Sequence, residues 1–223
     1  MSSDWDEHAG DWDTNEDVVL YAEKAFQSLC RLVSLDGLRV MDLGCGTGLL
    51  TEKIASLAEM VVSLDTSPKM LSVLSDKGLP NVVVFEEELS RKLIADHTVL
   101  QSGFDLIVAS SVCSFLPDFE GTLSLLKPLL VRRGLFVQWD WWTGSGESEH
   151  GFTKEQVEDV YRQVGLEPVS VAPSFSLQIA ESEMSVLMGV ARFDDNSRLL
   201  PTASSKSESF APESTIDPAR FFT

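Results

Sequence analysis

"VMDLGCGTGLL", residues 40–50, runs from an apolar, strand-like start through glycines at 44, 46 and 48 into a helical pattern with Leu50, Ile54, Leu57 and Ala58 on one face. Strand, tight turn and helix in that order place the glycines where a doubly wound α/β sheet receives a nucleotide-like ligand. Glycine is needed there for two reasons: a side chain would hold the backbone away from the ligand, and some turn positions require positive φ. Amides at the helix start are then expected to meet a negative group.

Outward from this turn the alternation continues. "EMVVSLD" (59–65) reads as the next strand, and "TSPKMLSVLSDKG" as a helix with Ser67 as N-cap, Pro68 in its first position and Gly78 as its stop. "NVVVF" (81–85), "FDLIVAS" (104–110) and "GLFVQWD" (134–140) are further strands, with a short helix or loop between the first two. Upstream, Val18–Val33 carries apolar residues at 22, 25, 26, 29 and 33, one buried helical face ahead of the sheet. "TKEQVEDVYRQVG" (153–165) opens with a capping box, Thr153 and Gln156, and stops at Gly165. "LEPVSVA" (166–172) and "MSVLMGVARF" (184–193) have no long helix between them and predict an antiparallel hairpin. Near-continuous apolar strands alternating with helices indicate a parallel sheet covered on both faces. The expected fold is therefore α/β: a Rossmann-like, doubly wound, seven-stranded sheet, mostly parallel, closed by a C-terminal antiparallel hairpin.

Composition bounds the function. The chain has 223 residues, 43% hydrophobic and 23% charged, enough for one sizeable core. Its longest apolar runs, "MVVSL" and "DLIVASSVCSFL", fall short of the roughly 20 residues of a membrane helix, so no span is expected. The acidic N-terminus lacks a basic and an apolar signal region, which makes the cytoplasm the expected location. Cys30, Cys45 and Cys113 form no CxxC pair and have no histidine cluster nearby, so reduced, mostly buried thiols are expected, with neither disulfide nor metal. The net charge is -18, and seven acids with no lysine or arginine occupy the first 17 residues, which disfavours nucleic acid as a partner. Residues 194–223, with six serines, three prolines and no apolar periodicity, read as a disordered tail.

Spacing narrows the ligand. A dinucleotide fingerprint would need glycine at 49, where this chain has Leu49. Asp42, two residues before the first glycine, is unfavourable beside a pyrophosphate and favourable beside an ammonium group. Asp65 ends the second strand, 23 residues after Asp42, where a carboxylate accepts from both hydroxyls of a ribose. A nucleoside with a zwitterionic tail satisfies both acids, and S-adenosylmethionine is such a molecule.

On these motifs the chain resembles the class I S-adenosylmethionine-dependent methyltransferases, in particular their small-molecule, quinone-biosynthesis-like branch. "VMDLGCGTG", "VVSLDTSPKML", "FDLIVASSVCSFLPD" and "GFTKEQVEDVYRQVGLEPVSV" are similar to motifs of that family, over roughly residues 5–193. The resemblance implies that Gly44, Gly46 and Gly48 line the methionine end, with Asp42 near its amino group and Asp65 on the ribose. It implies further that Thr66 and Met70 flank the adenine, that Glu87 or Glu88 (Glu86 being adjacent) receives its amino group, and that Ser110 sits beside the sulfonium. Two departures stand out. Ser114 and Phe115 occupy a segment where many relatives carry a histidine, and "KPLLVRRG" replaces a common Pro-Gly-Gly entry to the fifth strand. The opening "WDEHAGDWD" (5–13) is similar to the family's paired aromatic-Asp segment, which implies a lid over residues 1–17 ahead of a domain at 18–193, with Trp12 nearest the methionine end.

The implied reaction is in-line transfer of a methyl group to a small-molecule acceptor. "QWDWWTGSGESEHG" (138–151) offers Trp139, Trp141 and Trp142 as a candidate aromatic wall for that acceptor, at least one of them being expected to line the pocket. Candidate bases are His8, Asp140 and His150, with His97 a weaker one; each has a structural or solvated role as its simpler explanation. Two other functions compete: a cofactor-binding regulatory or interaction module without catalysis, kept open by the missing histidine, and a nicotinamide-dependent oxidoreductase, opposed by Leu49 and Asp42. The sequence leaves the oligomeric state and the acceptor atom open.

Overall fold

The computed structural model describes residues 2–144, 151–179 and 182–194. The tail from 195 onward and His150 lie outside the described residues. In chain order the elements are α1 (Ser2–His8), α2 (Glu16–Leu32), β1 (Arg39–Leu43), α3 (Leu49–Ala55), β2 (Met60–Asp65), α4 (Pro68–Asp76), β3 (Val82–Glu86), α5 (Arg91–Asp96), α6 (Thr98–Gln101), β4 (Phe104–Ser110), α7 (Phe119–Leu126), β5 (Leu130–Trp141), α8 (Lys154–Gln163), β6 (Glu167–Ile179) and β7 (Ser182–Arg192). The sheet has seven strands in the order β3-β2-β1-β4-β5-β7-β6. The first five run parallel, and β7 is antiparallel to both β5 and β6. The expected doubly wound sheet with its terminal hairpin is present. Among the described residues no helix is long and apolar enough to cross a membrane.

Alternation within each strand builds one core per face. Val40, Val61, Leu106, Val108, Val137 and Trp139 face α2 and α3, whereas Met41, Val62, Ile107, Ala109 and Phe136 face the layer that contains α5, α7 and α8. Local signals start and stop the helices as read: Ser67 caps α4 by accepting from the Met70 amide, and Thr153 and Gln156 complete a capping box on α8. Two boundaries differ. The fifth strand begins at Leu130 rather than Gly134, because Arg133 takes a positive φ of 69° and its amide bonds to Phe193 O at 2.7 Å, letting the strand continue through a bulge. Leu57 lies past the end of α3 and is exposed. Among the cysteines only Cys113 is buried; Cys30 is exposed.

The structure revises the proposed tryptophan wall. Trp139 is fully buried, and its Nε1 donates to Ser28 Oγ at 2.9 Å, while Ser28 in turn donates to the Ala25 carbonyl. This indole pins α2 to β5 and belongs to the core, because odd positions of β5 face α2. Trp141 is half-buried against Tyr21, and Trp142 is exposed. Trp139→Ala is expected to lower the unfolding free energy by about 3–5 kcal/mol in a urea titration; a loss below about 1 kcal/mol would show that α2 does not depend on this contact.

Candidate active site

The order β2-β1-β4 makes β1 the point from which successive connections diverge, and the crevice at its carboxyl end is where this kind of sheet binds ligands. The glycine turn sits in that crevice. Gly44, Gly46 and Gly48 have φ of 67°, 55° and 83°, a region that glycine enters at little cost. Close packing adds a second constraint at two of them: a Cβ on Gly44 would lie 2.4 Å from Val112 Cγ2, and one on Gly48 would lie 2.3 Å from Leu74 Cδ1. Gly46 differs. Its Cβ position is open, with Met70 Sδ and Trp12 Nε1 both 4.0 Å away.

The turn's own amides are mostly spent within the protein. Gly44 and Cys45 donate to the Leu64 carbonyl at 2.8 and 3.1 Å, and Gly48 donates to Cys45 O at 3.0 Å. Gly46 donates to Asp65 Oδ2 at 2.8 Å, while the other Asp65 oxygen accepts from the Ser67 amide at 2.9 Å. The expectation of free amides meeting an anion is corrected for these four. They tie the turn to the end of β2, and Asp65, half-buried, joins the glycine turn to the start of α4.

Asp42 lies beneath the turn. It is 1% exposed and accepts from Thr51 Oγ1 at 2.6 Å, with Ser63 beside that hydroxyl. Burial pushes its carboxyl up to about 7, the Thr51 hydrogen bond works against that rise, and the Asp65 charge adds to it. Thr66 is exposed beside Asp65, and Met70 is buried next to Gly46. Glu86, Glu87 and Glu88 are all exposed at the end of β3, and Ser110 is half-buried at the end of β4. His97, set apart at the foot of α6, packs its ring edge-on against Phe85, centroids 4.7 Å apart.

The N-terminal segment lies across this crevice. Trp5 meets Trp12 and Phe115 edge-on at 5.8 and 5.3 Å, which seats the segment against the turn that follows β4. Its acids do the docking, a role that reading the aromatic-Asp pairs for their tryptophans missed. Asp6 Oδ1 accepts from Ser67 Oγ at 2.6 Å, and Asp13 accepts a short hydrogen bond from Thr47 Oγ1. Lys77 Nζ bridges Asp13 and Glu52 at 3.0 and 3.1 Å. Both hydroxyls belong to the glycine turn or the α4 cap, so the segment closes on the same residues that frame the crevice. His8 is exposed at the end of α1, its ring 6.4 Å from that of Trp12.

A second polar cluster occupies the ends of β4 and β5. Tyr161 Oη donates to Gln138 Oε1 at 2.8 Å, which orients the amide so that Nε2 donates to Asp140 Oδ2 at 2.9 Å. The Ser114 amide donates to Asp140 Oδ1 at 3.2 Å. Asp140 is 1% exposed, and burial pushes its carboxyl up to about 7, moderated by the Ser114 amide and then by Gln138. With both oxygens engaged, this candidate base fastens the turn after β4 to β5.

The donors and surfaces around Gly46 suit a nucleoside with an amino-acid tail: a half-exposed carboxylate at Asp65, a thioether and an indole flanking an open glycine, and a buried carboxyl below. Comparison with known proteins agrees. A family model described as a methyltransferase domain matches residues 41–136. A ubiquinone biosynthesis O-methyltransferase of Xanthomonas campestris pv. campestris (strain B100) is 33% identical over 101 residues, 43% of this chain. The match spans only 41% of that relative's length. In fold, the chain is similar to a SAM-dependent methyltransferase from Aquifex aeolicus, with a TM-score of 0.66 at 17% identity, covering 86% of this chain and 98% of that one. It is also similar to DhpI in its SAM-HEP complex, with a TM-score of 0.66 at 18% identity, covering 85% and 94%. Residues 41–136, which hold the glycine turn and the acid ending β2, thus match a methyltransferase domain, and the fold around them is similar to that of a SAM-dependent methyltransferase of known structure.

Proposed function

We propose that this protein transfers a methyl group from S-adenosylmethionine to a small-molecule acceptor. The observation that carries the reading is Asp65: a half-exposed carboxylate held at the mouth of the crevice by the Gly46 and Ser67 amides, where a ribose would meet it. Gly44, Gly46 and Gly48 give the methionine end its approach to the backbone, Thr66 and Met70 flank the adenine, and Glu87 or Glu88 takes its amino group. Ser110 faces the sulfonium. Asp42 acts on the ammonium from below, through its field rather than by contact, since Thr51 and the turn cover it. The bound cofactor supplies a methyl group on a positively charged sulfur.

In the transfer, the S–CH3 bond breaks with its electron pair going to sulfur, the acceptor's lone pair forms the new bond in line, and the proton displaced from the acceptor is released to bulk solvent when the site opens. The protein's part is orientation and exclusion of water, and orientation alone is worth roughly 7–11 kcal/mol. Residues 1–17 serve as the lid that provides this exclusion, with Trp12 over Gly46, while 18–193 carries the transferase. The relative's O-methyltransferase name favours oxygen as the accepting atom.

The direct test is incubation with methyl-labelled S-adenosylmethionine and a metabolite extract. Label moved to small molecules is expected; retention of all label on the cofactor, despite tight binding, would support a binding module instead. In thermal unfolding, S-adenosylmethionine or S-adenosylhomocysteine at 100 times its Kd is expected to add about 2.7 kcal/mol of stability; a shift with NAD alone would overturn the reading. Asp65→Ala is expected to weaken S-adenosylhomocysteine binding at least tenfold by calorimetry, and unchanged affinity would remove the ribose assignment. Deleting residues 1–13 is expected to speed cofactor release severalfold in stopped-flow while far-UV circular dichroism keeps the fold's signature.

Asp42 sets a pH dependence. Its folded carboxyl titrates near 7 against an ordinary value of 3.8, so between these values the folded state holds a proton that the unfolded state has lost. Its contribution to stability is full below about pH 4 and is lost as pH rises through 7, at a slope of up to about 1.4 kcal/mol per unit. Asp42→Asn is expected to remove that share, so the stability difference between wild type and variant falls across pH 4–7 and levels off above it; a constant difference would show that Asp42 is ionised throughout.

A further inference from the structure

The turn after β4 holds two features that the cofactor site does not use. Ser111 is one of two non-glycine residues with positive φ among the described residues, at 57°, held there by its amide donating to Trp139 O at 2.7 Å. Strain of this kind persists where the surroundings over-determine it and concentrates at ligand sites. Beside it is the phenol of Tyr21, from α2. The ring is 8% exposed, gripped edge-on by Trp141 and Phe175, each at 5.4 Å. Its hydroxyl makes no hydrogen bond of good geometry among the described residues, the Ser111 side chain being the group placed to bond it. The groups that act on it are Asp140, Ser111 and Cys113, all at the carboxyl ends of β4 and β5.

A buried hydroxyl without a hydrogen bond of good geometry is uncommon and unfavourable, and calls for a reason. Here three elements fix its direction: α2 carries the ring, and β5 and β6 hold its edges. Asp140, Ser111 and Cys113 put it at the carboxyl ends of β4 and β5, whereas Asp65, Met70 and Trp12 frame the β1–β2 side. Ser110 immediately precedes Ser111, so a ligand placed over Ser110 next to the cofactor lies at the same strand end as the phenol.

We propose that Tyr21 is an acceptor-binding residue whose hydroxyl donates a hydrogen bond to an oxygen of a neutral, hydroxyl-bearing acceptor with an apolar body. The inference rests on the methyl-transfer reading and names the acceptor class for that same site. Burial, followed by the nearby Asp140 carboxyl, raises the phenol well above its ordinary pKa, so it stays a neutral donor at physiological pH. Asp140 and the strongly acidic chain disfavour an anionic acceptor. The aromatic side chains around the phenol, Trp141 and Phe175, suit an apolar body.

The test uses 1-naphthol as probe and naphthalene as its hydroxyl-free counterpart, titrated into wild type and Tyr21→Phe, each saturated with S-adenosylhomocysteine, and read by tryptophan fluorescence. Wild type is expected to bind 1-naphthol more tightly than naphthalene. Tyr21→Phe is expected to weaken 1-naphthol about fivefold, the loss of one neutral hydrogen bond, while leaving naphthalene and S-adenosylhomocysteine affinities within twofold. Because the phenol makes no hydrogen bond of good geometry in the unliganded protein, Tyr21→Phe is also expected to unfold at the same urea concentration or a higher one. Equal 1-naphthol affinities in the two proteins, or no 1-naphthol binding to the wild type, would overturn the Tyr21 assignment alone. Failure of the wild type to bind S-adenosylhomocysteine would overturn the transfer reading beneath it.

Discussion

One carboxylate organises the crevice. Asp65 accepts from the Gly46 amide with one oxygen and from the Ser67 amide with the other, so it joins the glycine turn after β1 to the cap of the helix after β2. Backbone amides held this way fix both loops relative to a sheet whose central strands are buried on both faces, and they leave the carboxylate half-exposed toward ligand. The N-terminal segment then docks on hydroxyls of the same two loops, Thr47 and Ser67. The glycine turn and the N-terminal segment therefore share their supports.

Charge follows the same arrangement. Two carboxyls, Asp42 and Asp140, are buried at the ends of β1 and β5 and are raised by that burial to about 7. Each has a specific fastening role, Asp42 on α3 through Thr51 and Asp140 on the turn after β4 through Ser114. A cationic cofactor is the kind of ligand that lowers the cost of such a layout, since its positive end favours the ionised form of the acid beneath it. The N-terminal acids add to the negative field at the crevice while being held by hydroxyls and by Lys77.

Much of this was legible in the sequence because it is local. Period-two and period-3.6 patterns, the Ser67 cap, the Thr153–Gln156 box and the missing helix between the last two strands each depend on a few neighbouring residues, and the strands, helices and hairpin formed accordingly. What escaped depends on which face a residue takes once strands pair. Trp139 and Asp140 are adjacent in sequence, yet one enters the core with α2 and the other fastens a loop on the opposite face. Arg133 carries the fifth strand back to Leu130 through a bulge that no pattern announced. Tyr21 stands outside the apolar positions read along its helix, and the setting of its hydroxyl becomes visible only when α2 is laid against Trp141, Phe175 and Ser111. The aromatic-Asp pairs drew attention to their tryptophans, but Asp6 and Asp13 are what fasten the segment to Ser67, Thr47 and Lys77.

The account stands on where the cofactor lies. A crystal structure grown with S-adenosylhomocysteine addresses this most directly: the account predicts the ribose hydroxyls on the Asp65 carboxylate and the homocysteine end over Gly46 beneath Trp12. Density for the nucleoside away from Asp65, or across the outer face of the N-terminal segment, would contradict it.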